Sequence, residues 1–388
     1  MSDKIIVGVV GSGAMGSGIA QVAARAGHQV IVFDSDPRAL DRSKVATGKD
    51  FEKLIGKGKI TREESEQIIA AITYTNAPET LRPCGLVIEA IIENLEIKKE
   101  LFQSIEKFVD ANCILATNTS SLSIVAVAAA CRERSRVIGI HFFNPAVIMP
   151  LVEIIPAFTT SQKIIDASRQ IIDSWGKITV LAKDTPGFIV NRIARPYYGE
   201  SIKMFEEGFA SFETIDWALK EYGGFKMGPF ELMDFIGNDI NYKVTETVWE
   251  QLFYDARYRP SLTQKRLYEA GLFGRKSGRG YYSYEENVQV VAPDKNEEKG
   301  KYIFERVIAM LINEAADALF LKIATRDDID TAMTKGVNYP EGLLKWADRI
   351  GIGRILNVLL QLQNDFNEDR YRPSVLLKKM VTEGKTFY

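Results

Sequence analysis

The sequence predicts an α/β domain built on a doubly wound sheet, followed by two all-helical domains that look like copies of each other. Three observations predict it. Short apolar runs alternate with helical stretches up to residue 183, the pattern turns helical and aromatic beyond that point, and side chains in the helical part recur 114 positions apart. Alternating strands and helices of this kind bury a mostly parallel sheet between two helix layers.

Residues 4–10 (KIIVGVV) are a short run, apolar after Lys4 and closed by Gly11, as a buried parallel strand requires. Residues 14–26 carry apolar and small side chains at helical spacing, with Gly27 where a C-cap glycine belongs. A second strand, 29–33 (QVIVF), ends at Asp34, and a long charged helical stretch follows over 37–70. Further strands are expected at 86–89, 113–116 and 137–140, with a helical run at 95–109, and the last strands at 151–155 and 178–181. His28, in the turn before the second strand, reads as a surface residue.

Asp184-Thr-Pro-Gly187 marks a domain boundary, with the threonine as cap and the proline in the first turn of a helix. Residues 1–183 are thus the first domain and 184–284 a helical domain, with a strand signal only at 280–284 (GYYSY). The polar stretch 285–300 reads as a linker to a third segment, 300–388. Glu200 and Glu314, Asp216 and Asp330, Asp234 and Asp348, and Gly237 and Gly351 all share the 114-residue offset, while Gly228-Pro229 and Tyr339-Pro340 fall three residues off it. The two helical segments therefore read as a repeat, the second of them structural.

Bulk composition narrows the function. The 388 residues are 46% hydrophobic and 26% charged, with 49 basic against 51 acidic side chains and a net charge of −2. That balance excludes the basic excess of a general nucleic-acid or membrane-surface protein. No apolar run reaches the roughly 20 residues of a membrane span. The three scattered cysteines and two histidines offer no zinc or disulfide pattern, so no metal is expected and a reducing cytoplasm is the expected compartment.

Gly11-Ser-Gly13-Ala-Met-Gly16 follows a strand and opens a helix, and Asp34 stands 23 residues after Gly11 at the end of the second strand. In that context the glycine motif reads as a Rossmann-type dinucleotide site. Gly11 allows the tight turn, Gly13 the close approach of a pyrophosphate, and Gly16 with Gly18 the helix–strand packing; Ala14 and Met15 complete the loop. The helix N-terminus presents N–H groups and a positive dipole end to the phosphates. Asp34 accepts from the adenosine ribose diol and repels a 2′-phosphate, which favours NAD over NADP.

His141 follows the strand VIGI at the carboxyl end of the sheet, where α/β enzymes place their sites. A neutral imidazole there takes a hydroxyl proton while hydride leaves the same carbon, and an imidazole's ordinary pKa of about 6.5 suits that work. Glu153 is placed to orient the ring and stabilise its protonated form. On spacing alone, a satisfied structural histidine is an equal reading.

The motifs GSGAMGSGIA, Thr117-Asn-Thr-Ser-Ser-Leu122, His141–Glu153 and Lys183-Asp-Thr-Pro-Gly-Phe-Ile-Val-Asn-Arg192 stand in one order and spacing. Together they resemble the L-3-hydroxyacyl-CoA dehydrogenase family over residues 1–284. The remainder resembles the second helical copy in the dehydrogenase part of multifunctional fatty-acid oxidation enzymes. The resemblance implies reversible, NAD-dependent oxidation of an (S)-3-hydroxyacyl-CoA thioester. The absence of fused domains points to a stand-alone enzyme for short chains such as 3-hydroxybutyryl-CoA.

On the same resemblance His141 is the general base and Glu153 its paired carboxylate. Ser120 hydrogen-bonds the substrate's 3-oxygen beside the cofactor, and Asn191 completes the site from the helical domain. Glu93 and Lys98 line the cofactor site, and Lys53, Lys57 and Lys59 fall where the family presents basic groups to coenzyme A phosphates. Position 305, 114 residues after Asn191, is a glutamate, so no second active site is expected in the second copy. That copy is expected to pair with the first within one chain, as the single-copy relatives pair between two subunits; a homodimer is the alternative. Two other functions compete: a sugar-acid or hydroxy-acid dehydrogenase with an arginine clamp for a free carboxylate, and an NAD-binding protein whose catalysis is unused.

Overall fold

The computed structural model describes residues 4–286 and 291–388. It divides into two compact units, Met1–Thr185 and Pro186–Tyr388, so both helical segments lie within the second unit.

In the first unit eight strands form one sheet: β1 (Ile6–Val10), β2 (Val30–Phe33), β3 (Ile72–Thr75), β4 (Cys84–Glu89), β5 (Ile114–Thr117), β6 (Val137–Phe142), β7 (Leu151–Pro156) and β8 (Ile178–Leu181). Their order is β3-β2-β1-β4-β5-β6-β7-β8. The strands run parallel as far as β6, which β7 meets antiparallel; β8 then runs parallel to β7. Helices α1 (Ala14–Arg25), α2 (Pro37–Gly56), α3 (Arg62–Ala70), α4 (Leu95–Ile105), α5 (Ile124–Ala128) and α6 (Gln162–Ser174) complete the unit. Val7, Val9, Leu86, Ile88, Ile138, Ile140, Val152 and Ile154 are fully buried, as expected for strands whose two faces are both covered. Cys84, Cys113 and Cys131 are core residues, and burial pushes their thiols up to about 12, so none is a thiolate at neutral pH.

Several local expectations give way to the structure. The stretch 37–70 is two helices, because Gly58 takes a positive φ of 63° and Thr61 starts α3 with a capping box to Glu64. The edge strand β3 (ITYT) was too short and too polar to stand out beside it. The helix expected at 95–109 ends at Ile105. His28 is buried, with Nδ1 2.9 Å from the Ile5 carbonyl and its ring edge-on to Trp175 at 5.7 Å. Pro186 does not begin a helix: Gly187 and Phe188 have positive φ, and the next helix starts at Val190. Asp184 caps α5 instead, accepting from Ile124 N at 3.0 Å and Val125 N at 2.8 Å. Residues 280–284 carry isolated bridges only.

The second unit holds α7 (Val190–Ile193), α8 (Arg195–Glu206), α9 (Phe212–Gly223), α10 (Pro229–Ile236), α11 (Asn238–Gln251), α12 (Leu262–Glu269), α13 (Glu297–Phe320), α14 (Arg326–Gly336), α15 (Leu343–Ile350), α16 (Ile352–Phe366) and α17 (Val375–Glu383). Residues 287–290 of the expected linker lie outside the described residues, and its last part is already helix, capped by Asn296. The long α13 packs on both α8 and α9 and on α15, α16 and α17.

The 114-residue repeat has a physical counterpart. Asp216 accepts from Phe230 N, Glu231 N and the Tyr282 hydroxyl at 2.9, 2.9 and 2.7 Å. Asp330 accepts from Leu344 N, Lys345 N and the Tyr388 hydroxyl at 2.8, 3.1 and 3.0 Å. Gly228 and Gly342 sit at the same place in the two motifs, where an added Cβ would lie 2.3 Å from the aspartate. Gly228 therefore corresponds to Gly342, and the offset Gly-Pro/Tyr-Pro match was misplaced. Between the halves the ion pairs are exchanged: Arg192 Nε donates to Glu314 at 2.8 Å, and Arg306 Nε to Glu200 at 2.6 Å. Among the described residues, no helix is long and apolar enough to cross a membrane.

Candidate active site

The glycine loop joins β1 to α1 at the point where β2 and β4 flank β1, the switch point at which open α/β sheets take their ligands. Gly11 has φ +98°, and a Cβ there would lie 2.7 Å from the Ala90 carbonyl; a Cβ at Gly16 would lie 1.8 Å from the Gly11 carbonyl. Around Gly13 the space is open, with nothing within 4 Å of an added Cβ. No side chain caps α1, so Ala14, Met15 and Gly16 stand in a first turn whose N–H groups are available to an anion. Asp34 accepts from Ser12 N at 2.8 Å and Ser12 Oγ at 2.7 Å, which holds its carboxylate at the mouth of the loop. A cavity of about 490 Å³ adjoins it, lined by Ser12, Gly13, Ala14, Arg42, Asp50 and Asn144 among others. An uncapped helix start, an open glycine and an acid at the end of β2 fit a dinucleotide.

Beyond β4 the chain gathers a second set of groups. Glu93 stands just before Asn94, the N-cap of α4, with its side chain 38% exposed. Its Oε1 accepts from Thr119 Oγ1 at 2.5 Å, Ser121 Oγ at 3.0 Å and Ser120 N at 3.2 Å, so the Ser120 loop hangs on one carboxylate. Burial pushes this carboxyl up, but the Lys98 charge and the Thr119 and Ser121 hydroxyls outweigh it and hold it below the usual range. Lys98 is 1% exposed and bridges Glu89 and Glu93 at 2.5 and 3.3 Å. Ser120 does not cap α5, whose N-cap is Ser123.

His141 and Glu153 are register partners across β6 and β7, with Nδ1 2.7 Å from Glu153 Oε2 and both side chains buried. Phe143 packs against the imidazole at 4.6 Å. The loop that reverses the chain between them is tied down by Lys177, whose ammonium donates to the Ala146 and Met149 carbonyls at 2.6 and 2.8 Å. Asn118 Oδ1 accepts from Phe142 N at 2.8 Å, which joins the strand end bearing His141 to the loop bearing Ser120.

Asn191 lies on α7 of the second unit, partly buried, with its carbonyl accepting from Arg195. Lys53, Lys57 and Lys59 lie on the exposed end of α2 and the turn after it; Lys53 pairs with Asp50 at 3.3 Å. None of the three lines the cavity beside the glycine loop. Sequence reasoning passed over Ser12, Glu89, Asn118 and Lys177. Ser12 and Asn118 sit inside motifs it had marked and Glu89 ends an expected strand, while Lys177 carries no local signal at all.

Comparison with known proteins agrees with this geometry. The family profile "3-hydroxyacyl-CoA dehydrogenase, NAD binding domain" matches residues 6–185. Its companion, "3-hydroxyacyl-CoA dehydrogenase, C-terminal domain", matches residues 187–284 and again 302–386. The 3-hydroxyadipyl-CoA dehydrogenase of Escherichia coli (strain K12) is 36% identical over 96% of both chains. The mitochondrial hydroxyacyl-coenzyme A dehydrogenase of Homo sapiens is 41% identical, over 72% of this chain and 92% of its own. A crystal structure of 3-hydroxybutyryl-CoA dehydrogenase from Escherichia coli superposes with a TM-score of 0.93 at 35% identity, covering 98% of this chain and 99% of that one. With a glycine loop shaped for a dinucleotide and family matches along almost its whole length, this chain belongs to the 3-hydroxyacyl-CoA dehydrogenase family and is an NAD-dependent oxidoreductase.

Proposed function

We propose that the chain reversibly oxidises short (S)-3-hydroxyacyl-CoA thioesters, such as 3-hydroxybutyryl-CoA, to the 3-oxoacyl-CoA in fatty-acid or butanoate metabolism. The observation that carries the chemistry is the buried His141–Glu153 pair at 2.7 Å. Glu153 accepts at Nδ1, which sets the tautomer and leaves Nε2 as the basic nitrogen. His141 takes the substrate's hydroxyl proton there, and Glu153 stabilises the imidazolium that forms. NAD, when bound, supplies the acceptor for the hydride that leaves the same carbon. Ser120 donates to the 3-oxygen, and Glu93 holds the backbone that presents it. Gly11, Gly13, Ala14, Met15, Gly16 and Asp34 bind the cofactor, with Glu93 and Lys98 at its other end. Asn191 is assigned to the substrate on the strength of its motif, and one or more of Lys53, Lys57 and Lys59 to the coenzyme A phosphates.

A dicarboxylic acyl chain is a second reading, favoured by the name of the relative matched over 96% of both chains. The deciding assay follows NADH oxidation with acetoacetyl-CoA, with 3-oxoadipyl-CoA and with a free keto acid, using His141→Ala as control. The largest kcat/KM is expected with acetoacetyl-CoA. A preference for 3-oxoadipyl-CoA selects the second reading, and turnover of the free acid alone defeats both. The second helical segment, on this proposal, makes within one chain the pairing that otherwise needs two subunits. Sedimentation as a monomer is expected, and an obligate dimer counts against it.

A further inference from the structure

Glu89 enters no step of the proposed chemistry, yet it is fully buried at the carboxyl end of β4 with its carboxylate saturated. Its Oε1 accepts from Ile91 N at 2.7 Å and from the Lys98 ammonium at 2.5 Å, and its Oε2 from the Thr117 hydroxyl at 2.6 Å. Lys98 is the same ammonium that reaches Glu93 at 3.3 Å. Two carboxylates thus share one cation. Among the described residues, no other lysine or arginine lies within 4 Å of either, so the cluster carries one negative charge in excess.

Such an excess costs stability, because a buried charge without a full partner loses its hydration. A glutamine at position 89 would still accept from Ile91 N or Thr117 and would leave Lys98 and Glu93 as a neutral pair. The fold alone therefore gives no reason for the second acid, and rules broken at local expense concentrate at functional sites. The charge also has an outlet. Glu89 is enclosed, but the side chain of Glu93 is 38% exposed and hydrogen-bonds the Ser120 backbone at 3.2 Å.

We infer that Glu89 is a positioning residue that holds Lys98 away from full pairing with Glu93, so that the charge left under the Ser120 loop favours oxidised over reduced cofactor. The inference rests on the assignment of Glu93 and Lys98 to the cofactor site. The nicotinamide ring is cationic in NAD and neutral in NADH, and the rest of the dinucleotide is common to both. A fixed charge near the ring therefore raises affinity for one form and leaves the other unchanged. By linkage the same term sets the balance between the two forms on the enzyme.

The test is the ratio of two dissociation constants, measured by calorimetry for NAD and for NADH. In Glu89→Gln the Kd for NAD is expected to rise on the order of 10-fold more than that for NADH. Thr117→Val, which removes a hydrogen bond to Glu89 but no charge, is expected to leave the ratio unchanged. An equal change in both constants for Glu89→Gln means a structural role only and overturns the inference. If that variant does not fold, Glu93→Gln cancels the same charge from the exposed side, and an unchanged ratio there overturns it too. Wild-type protein that binds neither form removes the cofactor assignment itself, an outcome separate from an unchanged ratio.

Discussion

His141 and Glu153 face each other across the one antiparallel step in the sheet, with Nδ1 and Oε2 2.7 Å apart in a buried setting. The eleven residues between them are the last residue of β6, an eight-residue loop and the first two residues of β7, so the pair is a product of strand register. A slip of one residue would send one of the two side chains to the opposite face.

The first prediction concerns this pair. His141→Ala is expected to lower kcat about 10²–10⁴-fold while NADH still binds. Glu153→Gln, which keeps the shape but not the charge, is expected to lose a comparable factor through the wrong tautomer. Stopped-flow turnover and NADH titration check both; unchanged turnover in His141→Ala refutes its role.

On the proposed reading, Asp34 sets the choice of dinucleotide. Asp34→Ala removes a charge-assisted acceptor worth about 1.5–3 kcal/mol, so NAD affinity is expected to fall roughly 10- to 100-fold. NADP, relieved of repulsion, is expected to lose less. The KM values for the two cofactors read this directly, and a NAD preference that survives intact in the variant would falsify the assignment.

Glu200 and Arg306 hold the two helical halves together. Both are buried, and Arg306→Met takes one of two arginines from the Glu200 carboxylate, leaving it with Arg370 at 3.1 Å. A loss of about 3–5 kcal/mol is expected in urea denaturation. Arg192→Met, which breaks the reciprocal pair with Glu314, is expected to cost a similar amount. A loss under about 1 kcal/mol in both would mean that the exchange is incidental.

The same pair sets an acid limit. Burial pushes the Glu200 carboxyl up, but Arg370, Arg306 and the Tyr371 hydroxyl outweigh it and hold it below the usual range. A depressed folded pKa contributes stability that is present above the unfolded value, about 4.3, and is lost as pH falls through the folded value. Chemical denaturation between pH 7 and pH 3 is expected to show stability dropping only below about pH 4. Glu200→Gln is expected to flatten that part of the curve.

The lysines can be separated one at a time. Glutamate at position 53, 57 or 59 is expected to raise the KM for acetoacetyl-CoA about 5-fold or more at whichever site meets the phosphates, with the NAD constants unchanged. The effect is expected to shrink as salt rises. Three variants with wild-type KM remove coenzyme A from this end of α2.

Legibility followed distance along the chain. Gly11, Gly13, Gly16 and Asp34 were readable because turn, helix start and strand end lie within 23 residues of one another and each residue type answers a local need. His141 and Glu153 were readable as residues, but only the β6–β7 register makes them a pair. His28 was misread as exposed, since what buries it are Ile5 and Trp175, which no local pattern connects to it. The spacing of Glu200 and Glu314 revealed a repeat without revealing that each glutamate is satisfied by arginines of the other half.

The candidate acid–base pair came from a family resemblance, whereas local sequence pattern was enough for the sheet and helix alternation, the dinucleotide loop and the internal repeat. These follow from hydrophobic period, glycine placement and residue chemistry, which act over a few neighbours. The tertiary structure alone decided that Glu93 gathers the Ser120 loop, that Lys98 is shared with Glu89, and that the helical halves exchange their buried ion pairs. Those facts depend on which charges are brought together and stripped of water. That choice is made by packing between residues far apart in the chain, and no local pattern records it.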